Sequence, residues 1–259
     1  MTQAAPEHAR RVIDAVLREE QAKRRHLVVA LSGAHAYGFP SPDSDMDLKA
    51  IHIAKAQSLL GLSALPTTSD RAEVIDGIEI DYTSNELGAA LRGLLKGNGN
   101  YLERVLGKLQ LLADPLLQEL IPLVRQSLSK RYYHHYRGFA RQQATELTKS
   151  PNPTAKNVLY VLRTALTGTR LLRTADLHVD LNDNLDEYGY PDARDLIVLK
   201  QAGERSVLDA AGLHHWQTRI QSAFEQLLDA FHNSPLPDEP PNAAALEAWL
   251  IDVRLRELR

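Results

Sequence analysis

The chain has 259 residues, 44% hydrophobic and 24% charged, with no cysteine. That length can bury a sizeable core as one large domain or two modest ones. Disulfides, zinc-thiolate sites and thiol catalysis are excluded; any metal must sit on carboxylates, imidazoles or backbone oxygens, and oxygen ligands favour magnesium or manganese. The net charge of −3 conceals a division: residues 121–175 hold ten Lys or Arg against the single acid Glu146, a net +9, while 176–259 hold seven basic and sixteen acidic residues, a net −9.

The first segment, HARRVIDAVLREEQAKRR, spaces Val12, Ile13, Val16 and Leu17 at helical intervals, and HLVVALSG reads as a buried strand stopped by Gly33. A polar loop, FPSPDSD, leads to a second strand, MDLKAIHI, and residues 54–70 are expected to be a variable loop. In EVIDGIEIDYT the Asp76-Gly77 pair between β-prone runs predicts a type I′ hairpin and a strand over 78–82. Helices are then expected: Thr83 with Glu86 three residues on predicts a capping box for a helix over 84–96, which Gly97-Asn98-Gly99 breaks before the next helical stretch, YLERVLGKLQLL.

Beyond Asp114-Pro115 the pattern predicts long helices over 116–149, 154–174 and 214–232, with Ser150-Pro151-Asn152-Pro153 as breaker, a loop over 177–191, and a last helix over 243–257. The expected architecture is α+β: a small mixed-sheet domain over 1–113, then a helical bundle over 114–259. No window approaches the roughly 18 consecutive apolar residues of a membrane helix, and the N-terminus lacks the apolar stretch of a secretory signal, so a cytoplasmic protein with no membrane partner is expected.

Alternate strand residues share a face, so Asp45 and Asp47 point the same way, about 7 Å apart. Two such carboxylates repel, and a divalent cation between them relieves both the repulsion and the cost of desolvation. Asp81, on IEIDYT, supplies a third carboxylate if that strand lies beside the first; it is preferred to Glu79, which is nearer the hairpin turn. The turn SGAHAYG follows a buried strand, so Gly33 can let the backbone approach phosphate oxygens. His35 is not expected to be a ligand.

This order of strand, glycine turn, Asp-x-Asp strand and later Asp strand resembles the nucleotidyltransferase core of the DNA polymerase beta superfamily. The segment SGAHAYGFPSPDSDMDLKAIHI, with its Tyr37-Gly38 and Ser44-Asp45 pairs, resembles the bacterial branch linked to RNA repair. The stretch KNVLYVLRTALTGTRLLRTADLHVDL resembles that branch's helix carrying a Lys and an Arg seven residues apart. The resemblance implies a palm-like catalytic domain, an NTP substrate, and Mg²⁺ or Mn²⁺ held by Asp45, Asp47 and Asp81, with Asp81 activating the attacking hydroxyl. It implies Ser32, Gly33 and Ser44 at the phosphates, and Lys156, Tyr160 and Arg163 on one helix face toward the nucleotide. One departure stands out: the family's turn usually reads Gly-Ser, and here the Ser position is Ala34.

The basic segment suits RNA, although its arginines are also placed to pair with the acidic flanks. The run Tyr132, Tyr133, His134, His135, Tyr136 is expected to pack into the bundle rather than stack on bases. The expected activity is transfer of a nucleoside monophosphate to an RNA 3′ end. Alternatives are transfer to a protein or small molecule, or a catalytically weak nucleotide- or RNA-binding protein.

Overall fold

The computed structural model describes residues 7–62, 66–203 and 207–258. Helix α1 (Glu7–Lys23) precedes strand β1 (Arg25–Leu31), and the short helix α2 (Gly33–Tyr37) follows. Strand β2 (Met46–Ile53), helix α3 (Ala56–Leu60) and the hairpin of β3 (Thr68–Ile75) and β4 (Ile78–Glu86) come next, then α4 (Leu87–Leu95), α5 (Gly99–Leu106) and β5 (Gln110–Ala113). The remaining helices are α6 (Leu116–Gln126), α7 (Tyr132–Lys149), α8 (Ala155–Thr174), α9 (Asn182–Leu185), α10 (Ala193–Gln201), α11 (Ala210–His232) and α12 (Ala243–Arg256). No helix among the described residues is long and apolar enough to cross a membrane.

The fold is α+β, and its sheet is mixed, in the order β3-β4-β2-β1-β5, with β2 parallel to β4 and the other pairs antiparallel. Asp76 and Gly77 both take positive φ, 50° and 80°, as a type I′ turn requires. Alternation along the strands separates two faces. Val29, Leu31, Met46, Leu48, Ala50, Ile80 and Tyr82 pack against Ala9, Val12, Ile13, Val16 and Leu17 of α1. The intervening residues Asp47, Lys49, Asp81, Thr83 and Asn85 belong to the opposite face. There α5 reaches the Asn85 end: the buried Arg104 guanidinium donates to Asn85 Oδ1 at 2.6 Å and Ala50 O at 2.9 Å.

Several elements differ from their sequence expectations. Strand β4 runs on through Thr83 to Glu86, so Thr83 does not cap α4; the Glu86 carboxylate does, accepting from the Gly88 and Ala89 amides. Strand β5 occupies the end of the expected helical stretch YLERVLGKLQLL, because pairing with β1 overrides its local pattern. Strand β3 begins at Thr68, inside the expected variable loop, whose residues 63–65 lie outside the described set. The helix expected over 116–149 is two, α6 and α7, interrupted between Gln126 and Tyr132. Helix α8 opens with a capping box of Thr154 and Asn157.

The chain forms two compact units. One comprises residues up to His35, Asp45–Ser127 and Pro240 onward; the other comprises Ala36–Ser44 and Leu128–Glu239. This differs from a cut at 113/114. Helices α6 and α12 belong with the sheet, where Trp249 Nε1 donates to Glu119 and Arg254 to Glu86. In the second unit α8 is the axis, buried along most of its length. Tyr132, Tyr133 and Tyr136 are buried there, with Tyr133 stacked on Phe231 at 4.3 Å, so the aromatic run packs into the bundle.

Candidate active site

The parallel pairing of β2 with β4 sets Asp47 directly opposite Asp81. Glu79, by contrast, is exposed and pairs on its other side with Val74 of β3. Asp45 lies one residue before β2 and is exposed. The sequence pattern did not single out Lys49. Two residues after Asp47 and therefore on the same face, its ammonium donates to Asp81 Oδ2 at 2.7 Å and lies 3.6 Å from Asp47 Oδ1. Period-two counting from Asp47 could have found it.

Asp47 is the most enclosed of these carboxylates. Burial pushes its carboxyl above the ordinary range; the Lys49 ammonium opposes that, and the Asp81 and Asp45 carboxylates reinforce it. A carboxylate in this setting gains from any further positive charge brought to it.

The glycine turn is built around the same group. Gly33 has φ of +61°, in the left-handed region, and a Cβ there would overlap the Asp47 carboxylate. The Ser32 amide donates to Asp47 O at 2.8 Å. The turn is thus locked to β2, and the hydrogen on Gly33 leaves room for the carboxylate. Ala34, His35 and Ala36 are buried, in keeping with packing roles.

Among the described residues no three His, Asp or Glu side chains already converge as a metal-ligand cluster. The Lys49 ammonium lies against both Asp47 and Asp81. The donor chemistry nevertheless fits Mg²⁺ or Mn²⁺: three carboxylates supply hard oxygens, and Asp47 is held in a setting that disfavours its charge.

The other residues expected at the nucleotide divide between the two units. Ser32 and Gly33 are in the sheet unit, while Ser44, Lys156, Tyr160 and Arg163 are in the helical unit. Arg163 is not on a solvated face: it is buried, its Cζ 3.3 Å from the centroid of the Tyr37 ring. Tyr160 meets Tyr37 and Phe39 edge-on, with centroids 5.9 and 5.4 Å away. Tyr37, Phe39, Tyr160 and Arg163 therefore form a packed aromatic cluster. Lys156 is half-buried; the Asp43 carboxyl is held below its usual range first by a Ser41 hydrogen bond, then by a backbone hydrogen bond and the charge of Lys200, with Lys156 adding least.

Ser44 is gripped by a residue that sequence patterns gave no reason to select. Lys200 of α10 is fully buried and donates from Nζ to Ser41 Oγ at 3.0 Å and Ser44 Oγ at 3.2 Å. The Ser41 amide also donates to Ser44 Oγ at 2.9 Å, and the Ser44 amide to Ser41 O at 3.0 Å. A hydroxyl oxygen with two acceptor sites is saturated by those two donors, so Ser44 Oγ–H donates to Ser41 Oγ, 3.0 Å away. The turn 41–44 is tied closed immediately before Asp45.

A sequence profile of the RNA repair pathway DNA polymerase beta family (RlaP) matches residues 8–252. The chain is 30% identical to the uncharacterized protein MJ0002 of Methanocaldococcus jannaschii over 230 residues, 86% of this chain and 91% of that one. It is 28% identical to the uncharacterized protein YcgL of Bacillus subtilis over 161 residues, 60% of each. A crystal structure of a nucleotidyltransferase-like protein from Exiguobacterium sibiricum aligns with 95% of this chain and 79% of its own, at 13% identity and a TM-score of 0.33.

Proposed function

The chain belongs to the RNA repair pathway DNA polymerase beta family, and from that premise we propose that it is a metal-dependent nucleotidyltransferase acting in the cytoplasm. It moves a nucleoside monophosphate from an NTP to the terminal hydroxyl of an RNA 3′ end and releases pyrophosphate. The observation that carries the reading is the register of β2 on β4, which sets Asp47 opposite Asp81 with Asp45 just before the strand.

The acceptor oxygen attacks the α-phosphorus, the bond from that phosphorus to the bridging oxygen of the β-phosphate breaks, and pyrophosphate leaves with that oxygen. Asp81 takes the hydroxyl proton, and Lys49, donating to its Oδ2, orients the carboxylate. Asp45 and Asp47 would hold the divalent cation, which would neutralise phosphate charge and favour ionisation of the attacking hydroxyl. Gly33 keeps backbone and carboxylate close, Ser32, Lys156 and Tyr160 are the proposed nucleotide contacts, and Ser44 and Arg163 are proposed as positioning residues. The Ser44 hydroxyl acts through the turn it closes, and Arg163 through the aromatic cluster it stacks on.

The test is incubation with each α-labelled NTP, magnesium or manganese, and total RNA, beside the Asp45→Ala, Asp47→Ala double variant. Label in RNA that disappears in the double variant supports the reading. Label on protein alone overturns the choice of acceptor, and no label with any NTP overturns the activity.

A further inference from the structure

The structure sorts the ten cations of the basic segment 121–175. Four are neutralised by acids of the C-terminal flank: Lys130 pairs with Asp238 at 3.0 Å, Arg131 with Glu239, Arg170 with Glu187 at 2.7 Å and Arg173 with Asp229 at 3.0 Å. Arg163 is buried on Tyr37, and Arg125 and Lys156 have partners of their own. Arg137, Arg141 and Lys149 remain. All three are exposed on α7, and among the described residues none has an acidic partner within ion-pairing distance.

Their spacings of 4 and 8 set them along one ridge of α7 that starts at the buried Tyr133 and is exposed from Arg137 on, with Arg141 and Lys149 turned further from the buried Tyr132, Tyr136, Ala140 and Leu147. At about 1.5 Å per residue the row from Arg137 to Lys149 is about 18 Å long, enough to follow several phosphates of a strand. The surface between them is low. Gly138 has open space where a Cβ would stand, and the Thr145 and Thr148 hydroxyls fold back onto the Arg141 and Ala144 carbonyls at 2.8 and 2.9 Å. Glu146, the one acid of the segment, stands three residues before Lys149 but accepts from Gln142 at 3.0 Å. The whole chain has a net charge of −3, so net attraction does not bring a polyanion to it; a local row of cations does.

We propose that the outward face of α7 is the RNA-docking surface, where Arg137, Arg141 and Lys149 hold the phosphate backbone of the acceptor strand. The choice of RNA rests on the nucleotidyltransferase reading above. A phosphate backbone matches a row of cations without base-reading side chains, so docking is sequence-independent.

The test is fluorescence anisotropy of a labelled single-stranded RNA between 50 and 200 mM salt. It compares wild type, the triple variant Arg137→Gln, Arg141→Gln, Lys149→Gln, and the control Arg194→Gln, whose cation is already paired with Asp186. All substitutions are at exposed or half-exposed positions, so the fold is retained, as circular dichroism checks. Each phosphate contact to a single strand contributes about −0.7 to the slope of log K against log salt, so the triple variant should lose about 2 from that slope, which counterion release converts to roughly several hundredfold weaker binding at 50 mM salt. The control should keep both values. An unchanged slope in the triple variant, or no RNA binding by wild type, overturns the proposal. The Asp47→Asn variant separates the two readings: RNA binding kept and transfer lost supports both, while RNA docking through α7 with no transfer by wild type sinks the chemistry and leaves the surface standing.

Discussion

Replacing Asp47 by Asn should abolish transfer and at the same time stabilise the protein at neutral pH. The carboxyl is raised above the ordinary value of 3.8, by burial first and by Asp81 and Asp45 besides, with Lys49 only partly compensating. A raised carboxyl contributes stability that is fully present below the unfolded value and is lost as pH rises through the folded one. At pH 7 the ionised Asp47 is therefore a net cost, about 1.4 kcal/mol for each unit of elevation. For a chain of this size about 1 kcal/mol moves Tm by about 2–4 °C. Thermal unfolding without metal should show the Asp47→Asn variant melting higher than wild type at pH 7, with the gap closing as pH falls toward 4. Magnesium at about a hundred times its Kd should add about 2.7 kcal/mol to wild type and nothing comparable to the variant. A variant that melts below wild type at pH 7 would refute the claim that burial of this charge is unfavourable, and one that keeps full transfer would refute its place in the site.

Gly33→Ala should impair both fold and activity, since φ of +61° costs an L-residue about 1–2 kcal/mol and the new methyl group displaces the Asp47 carboxylate. Gly77→Ala is its control: φ is +80° but the space beside it is open, so thermal unfolding should register a loss while transfer continues at the wild-type rate. Lys200→Met takes the charged donor from Ser41 and Ser44, for which about 1–3 kcal/mol of stability should be lost. Because the turn 41–44 leads into Asp45, the same variant should need more magnesium for half-maximal transfer, and an unchanged magnesium titration would reduce Lys200 to a purely structural role.

What could be read from the sequence was what local periodicity encodes. HLVVALSG and MDLKAIHI form strands because their apolar runs pair in a sheet, and Asp76-Gly77 makes its turn because few other residue pairs tolerate two positive φ values. Asp81 could be proposed only on the condition that its strand lay beside β2, which is a fact of topology and not of spacing. The errors share one cause. Strand β5 forms where β1 offers it an edge, Thr83 stays in β4 because β2 and β3 both pair with it, and α12 joins the sheet unit through Trp249 and Arg254. Lys200 was unreadable for the same reason: 156 residues separate it from Ser44, and nothing in KQAG signals a buried ammonium.

The charge balance of the site supports a divalent ion and also limits how many can bind before substrate does. Asp45, Asp47 and Asp81 bring three negative charges when ionised and Lys49 brings one positive, a balance of −2. Lys49 alone does not satisfy the group, since the Asp47 carboxyl stays raised beside it. One Mg²⁺ or Mn²⁺ closes that balance; a second would overshoot it unless a further anion came with it, and the triphosphate is such an anion. On the proposed reading, one ion would bind the carboxylates first and a second only with the nucleotide. On that argument magnesium alone should raise Tm with the stoichiometry of a single site, and the second ion should appear in calorimetry only when a non-hydrolysable NTP is present.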